Sequence, residues 1–339
     1  MLPPNKSVSQ YRPDIQCISD ISSHQFIHPT KQIVSSIHIT PLWSSSTTYY
    51  ELIQFISSIN SLVYGRLCTD KIESSRNVQY ITEWLTQLKL SLAQYPPMQQ
   101  DTRYGNKGYR YWYEHMKLQA YELNKQLLGQ YDLPDHNKQL ALDELNSYLV
   151  DSFGNYQRID YGTGHELNYI LYLLCLYKLN ILQYTDLISI GVKIICHYLQ
   201  LMQSVQLQYY LEPAGSKGAW GLDDYQFIVF YFGTGQLIGS DIVCMTMNDI
   251  QQVRQLKDDY LLFSGIDFIH KVKSGPFYEH SAILYQISQL TSWNKANNGL
   301  LQMYQNEVLN KYPIVQHILF GSILTLKKHN AAQKSIQSD

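Results

Sequence analysis

Charge is scarce in this chain. Asp, Glu, Lys and Arg make up 16% of its 339 residues, and the formal net charge is −2. Such a surface offers no broad attraction to nucleic acid or to an anionic membrane, and neither is expected as a partner. Cysteine is also sparse. Cys17, Cys68, Cys175, Cys196 and Cys244 are scattered, odd in number and without a C-x-x-C pair. That argues against a zinc ribbon and a disulfide framework and fits a reducing compartment. Cys175 and Cys196 fall inside apolar helical patterns, where a thiol acts as a small core residue. No apolar signal core follows Met1. The longest charge-free apolar-rich run, Tyr225 to Ser240, is interrupted by Gln and Gly and is too short to span a bilayer. A soluble cytosolic or nuclear protein is expected. No Ser nucleophile elbow, Cys/His dyad signature or zinc motif occurs. Alternating strand patterns are missing too, apart from a short extended piece expected at Ile33 to Ile39.

What is present is apolar and helical. Hydrophobic residues reach 45%, enough for a sizeable core, and 29 tyrosines divide between core and contact surface. Residues 1–43, rich in Pro, Ser and His, read as a partly ordered N-terminal arm. Residues 44–326 read as one all-α domain, and 327–339 as a flexible tail. Helices are expected from a Ser45–Thr48 cap to about Arg66, from Arg76 to Tyr95 before Pro96-Pro97, from Lys107 to Leu128, and from Asp135 to Phe153. The stretch from Gly164 to Leu182 is apolar on most sides, as buried helices are. From Thr185, the residues Ile188, Val192, Ile195, Leu199 and Met202 form one buried stripe. Further helices are expected from Asp223 to Ile238 and from Asn297 to Lys311, and a last apolar segment covers Ile314 to Leu326.

Three constellations stand out. Leu211 to Tyr225 packs three glycines, a proline, Trp220 and the pair Asp223-Asp224 between two apolar helical segments. Glycine is costly in backbone entropy, so a loop built this way suggests close approach to a ligand. It reads either as an ordered loop whose Asp pair caps the next helix, or as a hard-cation site formed by Asp224 and a nearby backbone carbonyl, completed by waters and phosphates. Tyr161-Gly162-Thr163-Gly164-His165-Glu166 opens the buried helix. Thr163-x-x-Glu166 matches a capping box. The same glycines would also expose N–H groups at a helix N-terminus that favours phosphate, with Arg158 adding a cationic fork. No Lys-Ser/Thr follows, so this is not a Walker loop. In Ser274 to Ser281, Gly-Pro makes a turn and Glu279 and His280 start a helix. They point different ways, which leaves a cleft-lining role over a relay.

These blocks carry a resemblance. Asp160 to Glu166, Leu211 to Tyr225, Gly275 to Ser281, and the run from Trp293-Asn294-Lys295 to Gly321-Ser322 resemble, in order, the signature blocks of the phosphotyrosyl phosphatase activator family. These are activators of the type-2A serine/threonine protein phosphatase. The resemblance extends from about Asn106 to Ser322. It implies an all-helical compact body of core, linker and lid subdomains, peptidyl-prolyl cis–trans isomerase activity, binding to the phosphatase catalytic subunit, and ATP with Mg²⁺ where the two proteins meet. Carried residue by residue, it puts nucleotide contacts on Arg158, Thr163, Gly164, Gln316, Leu319 and Phe320, and metal contacts on the Gly218 carbonyl and Asp224. For isomerisation of a proline-containing segment, Trp220 would face the ring, while Asp223 or Glu279 would orient peptide N–H groups. A non-catalytic activation chaperone is the alternative. Lys217 stands where the family usually has Gln or His, adding a positive charge beside the expected phosphate site.

Overall fold

The computed structural model describes residues 11–329 apart from 102, 103 and 216. The first helix, α1 (Thr47–Leu62), starts where Ser46 Oγ accepts the Tyr49 N–H at 3.1 Å. It buries Leu52, Phe55, Ile56, Ile59 and Leu62, the i, i+3, i+4, i+7 stripe of an amphipathic helix. Ser75 likewise caps α2 (Arg76–Ser91), which a 3₁₀ turn ends before Pro96. α3 (Gly108–Leu128) and α4 (Asp135–Asp151) pack on each other, and α4 packs on α5 (Thr163–Lys178). α5 is buried on nearly every face, from His165 to Lys178, as its all-round apolar sequence demands. Each such Leu or Ile side chain contributes about 1.5–3 kcal/mol on burial. A single turn, α6 (Leu187–Ser189), and a π-helical stretch lead into α7 (Ile195–Tyr209), which packs against α2.

The rest of the body gathers on α8 (Ile228–Gln236), which contacts α1, α10 (Leu261–Val272) and α13 (Trp293–Tyr304). α9 (Ile250–Leu256), α11 (Phe277–His280), α12 (Ala282–Ser288) and α14 (Tyr312–Val315) are short connecting pieces. The strands are two-residue fragments. β1 (Thr30–Lys31) pairs antiparallel with β4 (Leu319–Phe320), and β2 (Asp160–Tyr161) pairs parallel with β3 (Glu212–Pro213). The fold class is all-α. Among the described residues, no helix is long and apolar enough to cross a membrane.

Three expectations need correction. The helix expected from Asp223 begins only at Ile228, because Asp223 folds a turn of its own ahead of it. Ile33 to Ile39 forms no strand; a 3₁₀ turn occupies Ser36–His38, and the pairing falls on Thr30–Lys31 instead. The segment 11–43 is also packed more firmly than its lack of period suggests. Ile21, Phe26, Ile33 and Trp43 are buried, and Trp43 Nε1 donates to the Leu309 carbonyl at 2.7 Å. Glu51 anchors the same segment. One carboxylate oxygen accepts the Gln16 N–H at 3.0 Å, and the other accepts from the buried Lys178 ammonium. Non-periodic chain can be pinned this way because each anchor is a single contact that leaves no repeat in the sequence.

Candidate functional site

Two loops distant in sequence are sewn side by side. The parallel pairing of Asp160 with Glu212 and Tyr161 with Pro213 continues as Ala214 N–H donates to the Tyr161 carbonyl at 2.9 Å. At this seam Gly162 has no room for a side chain: a Cβ there would sit 2.9 Å from the Ala214 carbonyl oxygen. Gly164 is different. Its Cβ would meet only Ile314 Cγ2, at an ordinary 3.5 Å.

The capping box is not formed. Gly162 is the N-cap of α5, and among the described residues no side-chain cap hydrogen bond is made there. Glu166 instead reaches across to α8, where its carboxylate accepts the N–H groups of Phe227 and Ile228 at 2.9–3.2 Å. A carboxylate at the N-terminus of another helix satisfies orphan donors and meets the positive end of the dipole. Burial nevertheless pushes the Glu166 carboxyl up to about 8. Asp223 holds the same loop from within, its Oδ2 accepting from the Tyr225 and Gln226 N–H groups at 2.9 Å each. Burial raises the Asp223 carboxyl as well.

Between the two loops lies a cavity of about 760 Å³. One wall is the uncapped start of α5, with Thr163, Gly164 and His165; another is the glycine-rich loop, with Lys217, Trp220, Asp223 and Asp224. The third comes from the C-terminal part of the chain: Gln302, Met303, Asn306, Glu307 and Ile314. Five carboxylates line the cavity against three permanent cations, Arg158, Lys217 and Lys311. Those cations are engaged. Arg158 Nε donates to Asp160 Oδ2 at 2.6 Å, Lys217 is ion-paired with Glu307, and Lys311 lies 3.7 Å from the same Glu307. His165 Nδ1–H donates to the Asp151 carbonyl at 2.5 Å, with Nε2 3.8 Å from Asp160 Oδ1. Burial alone would lower the His165 imidazole, but Asp160 and Asp151 outweigh it and hold it above its ordinary value. Burial alone would raise Asp160; His165 and Arg158 hold it below. Among the described residues, Asp160 Oδ1 is buried with no hydrogen-bond partner.

The family model described as "Phosphotyrosyl phosphate activator (PTPA) protein" matches residues 29–326. The chain belongs to the PTPA family. It is 40% identical over 287 residues to the serine/threonine-protein phosphatase 2A activator of Drosophila melanogaster, covering 84% of this chain and 71% of that one. It is 37% identical over 310 residues to the probable serine/threonine-protein phosphatase 2A activator 1 of Dictyostelium discoideum, covering 91% and 93%. The crystal structure of the PP2A phosphatase activator Ypa1 superposes with a TM-score of 0.80 at 28% identity, over 95% of this chain and all of that one.

In this PTPA-family chain the cavity gathers six of the eleven expected site residues: Arg158, Thr163, Gly164, Trp220, Asp223 and Asp224. The other five stand elsewhere. Gly218 lies in the same loop with φ +55°, and its carbonyl accepts the Gly221 N–H at 3.0 Å. Glu279 is exposed on α11, which packs beside the Gly218–Trp220 turn. Gln316 follows α14 without lining the cavity, although its neighbours Ile314 and His317 do. Leu319 and Phe320 form β4 behind that wall: the Leu319 carbonyl accepts the Tyr148 hydroxyl at 2.6 Å, and Phe320 is buried against Trp43. The extra charge expected from Lys217 is offset by Glu307.

Asp224 Oδ2 lies 2.6 Å from Lys273 Nζ, so a cation already sits on the expected metal ligand. Among the described residues, no three His, Cys, Asp or Glu side chains are grouped to hold a metal ion. The donor set therefore fits a divalent ion that brings phosphate oxygens with it, and not a free-standing protein metal site. The carboxylate excess points the same way, because a bare polyphosphate would be repelled.

Sequence reasoning missed Lys273, Asp151 and most of the C-terminal wall. One signal was available for the wall. Gly299, Gln302, Met303 and Asn306 follow i, i+3, i+4, i+7 spacing, one face of a helix turned to the cavity. Nothing local marks Lys273 or Asp151.

Proposed function

We propose that this chain activates a type-2A serine/threonine phosphatase by binding its catalytic subunit, with Mg-ATP held in the cavity where the two proteins meet. The names of the relatives support the phosphatase. The observation that carries the nucleotide is one cavity combining an uncapped helix N-terminus, an excess of carboxylates and Trp220 at its rim. N–H groups of Thr163 and Gly164 are donors for phosphate oxygens, and Arg158 is held beside them by Asp160. Asp224 and the Gly218 carbonyl would contribute to the Mg²⁺ shell. The bound Mg-nucleotide would supply a charged bridge between activator and phosphatase.

Prolyl isomerisation belongs to the same proposal. The barrier to X-Pro rotation is roughly 18–20 kcal/mol, and a site favouring the twisted amide lowers it without a nucleophile. Trp220, 88% exposed, presents an apolar face for the ring. The second reading is a chaperone whose isomerase activity is incidental. It is favoured by the commitment of Asp223 Oδ2 to loop amides and by the position of Glu279 outside the cavity wall.

Capture of the phosphatase catalytic subunit by the full chain, with and without Mg-ATP, tests the proposal. Capture that rises with Mg-ATP is expected. No capture under either condition overturns the activator reading, and capture indifferent to Mg-ATP overturns the nucleotide part. Turnover of an Xaa-Pro peptide and phosphatase activation, measured on the same Trp220→Ala sample, separate the two readings. Joint loss favours the isomerase, and loss of peptide turnover with activation intact favours the chaperone.

A further inference from the structure

Away from the cavity, two thiols far apart in sequence face each other. Cys68 lies in the loop between α1 and α2, and Cys196 opens α7. Their sulfurs are 2.7 Å apart. A formed S–S bond is about 2.05 Å long, so closure needs a movement of only about 0.7 Å.

The surroundings fix this approach. Cys68 N–H donates to the Asp259 carbonyl at 2.8 Å. Lys193 Nζ donates to the Cys68 carbonyl at 3.1 Å and also to the Asp70 carbonyl, tying the loop to the helix that carries Cys196. Gln236, at the end of α8, donates its amide to the Arg66 carbonyl at 3.1 Å and to Cys68 Sγ at 3.6 Å. Cys68 is partly exposed, while Cys196 is buried. Cys68 is therefore the sulfur that an oxidant coming from solvent meets first, with Cys196 behind it.

We propose that Cys68 and Cys196 form a peroxide-oxidisable thiol pair that closes to a reversible disulfide between the loop after α1 and the start of α7. Cys68 is the attacking sulfur. The S–H of Cys196 points at it, and the Gln236 amide and Lys193 charge act with that contact to hold its thiol below the ordinary value. The Cys68 thiolate attacks one oxygen of hydrogen peroxide, breaking the O–O bond. This gives a sulfenic acid, and the displaced hydroxide takes up a proton to become water. Cys196 then attacks the Cys68 sulfur, loses its proton and expels the hydroxyl as a second water. Two thiols lose two electrons and two protons, and the peroxide is reduced to two waters.

The bridge would link residues 128 apart in sequence, so it acts chiefly by restricting the unfolded chain. Cys196 is also about 20 Å along α7 from the loop that follows it. Stability is therefore the property that changes, not the shape of the cavity.

The full chain is treated with up to a tenfold excess of hydrogen peroxide, alkylated, digested and read by mass spectrometry. The expected product is a peptide joining Cys68 to Cys196, lighter than the separate peptides by two hydrogens and released by dithiothreitol. Oxidised protein should melt about 3–8 °C above the reduced form, a rise absent in Cys68→Ser. Cys68→Ser changes the partly exposed partner; should it fold poorly, the peptide map of the parent protein decides alone. Oxidation of Cys68 to sulfinic or sulfonic acid with Cys196 still a thiol overturns the proposal. So does a bridge between any other pair, or full alkylation of both thiols after tenfold peroxide.

Discussion

Trp220 keeps 88% of its surface in water, while a comparable indole, Trp43, is fully buried with its N–H bonded. The two residues separate a contact role from a core role. Trp220→Ala should leave the melting temperature almost unchanged, since exposed substitutions usually stay within about 0.5 kcal/mol. Phosphatase activation and peptide isomerisation should fall at least ~10-fold, as for a contact hot spot. A variant that melts normally and keeps both activities would remove the residue from the working surface. Asp224 is bound to Lys273 as well as being a candidate metal contact. Removal of the side chain would mix the two roles, so the informative change is Asp224→Asn, which keeps an oxygen for Lys273 and loses the charge. The Mg²⁺ concentration for half-maximal activation should rise about tenfold, a loss of ~1.4 kcal/mol of differential binding, with the circular dichroism spectrum unchanged. An unaltered Mg²⁺ requirement would free Asp224 from that role.

At the scale of elements, the site depends on a seam two residues long. β2 and β3 meet beside Gly162, where a Cβ would lie 2.9 Å from the Ala214 carbonyl oxygen. Gly162→Ala must push the two loops apart and should cost about 1–3 kcal/mol. Gly164 lies two residues on, inside α5, with ordinary space around a Cβ. Gly164→Ala should therefore be neutral or stabilising by about 0.5–1 kcal/mol, the usual gain of Ala over Gly in a helix. Thermal melts of the two variants should shift in opposite directions. Equal losses would mean that the crowded glycine has been misassigned. α8 shows a related dependence. It starts at Ile228 because a carboxylate from α5, sixty-one residues before Phe227, supplies its N-terminal acceptor.

Across the whole molecule, that carboxylate sets a pH dependence. The Glu166 carboxyl is raised from 4.5 to about 8 by burial. Between those values the folded chain holds a proton that the unfolded chain has released, so stability falls as pH rises through the window. His165, raised by Asp160 and Asp151, acts in the same direction: its contribution is complete below its unfolded value and is lost as pH climbs through the folded one. Asp223, raised by burial, adds to the trend, and Asp160, lowered, opposes it at acid pH. Glu166→Gln removes the largest part. Its melting temperature should decline less steeply than the parent's between about pH 5 and 8, because each tenfold difference in proton affinity between folded and unfolded chain is worth ~1.4 kcal/mol. Parallel pH profiles would show that Glu166 stays ionised in the folded chain.

The amino-acid sequence by itself determined the helical class and the placement of the long helices. α1 and α2 begin behind the capping side chains of Ser46 and Ser75, and α3, α4 and α5 begin at Gly108, Asp135 and Thr163, each within a residue or two of the start expected from the sequence pattern. It also determined that Asp160–Glu166 and Leu211–Tyr225 were unusual, because glycine, tryptophan and paired carboxylates are costly choices for a plain connector. Only the tertiary structure decided what those residues touch. Thr163-x-x-Glu166 has the spacing of a capping box, yet Glu166 caps a different helix. Asp223 looks like a helix start, yet folds its own turn. Asp224 meets Lys273, Lys217 meets Glu307, and Cys68 meets Cys196. The reason is physical. Caps and periodicity act within four residues along the chain, so they leave a local pattern. Ion pairs, close backbone approaches and thiol contacts are made across the fold by residues brought together by packing, and one residue at each end leaves no pattern to read.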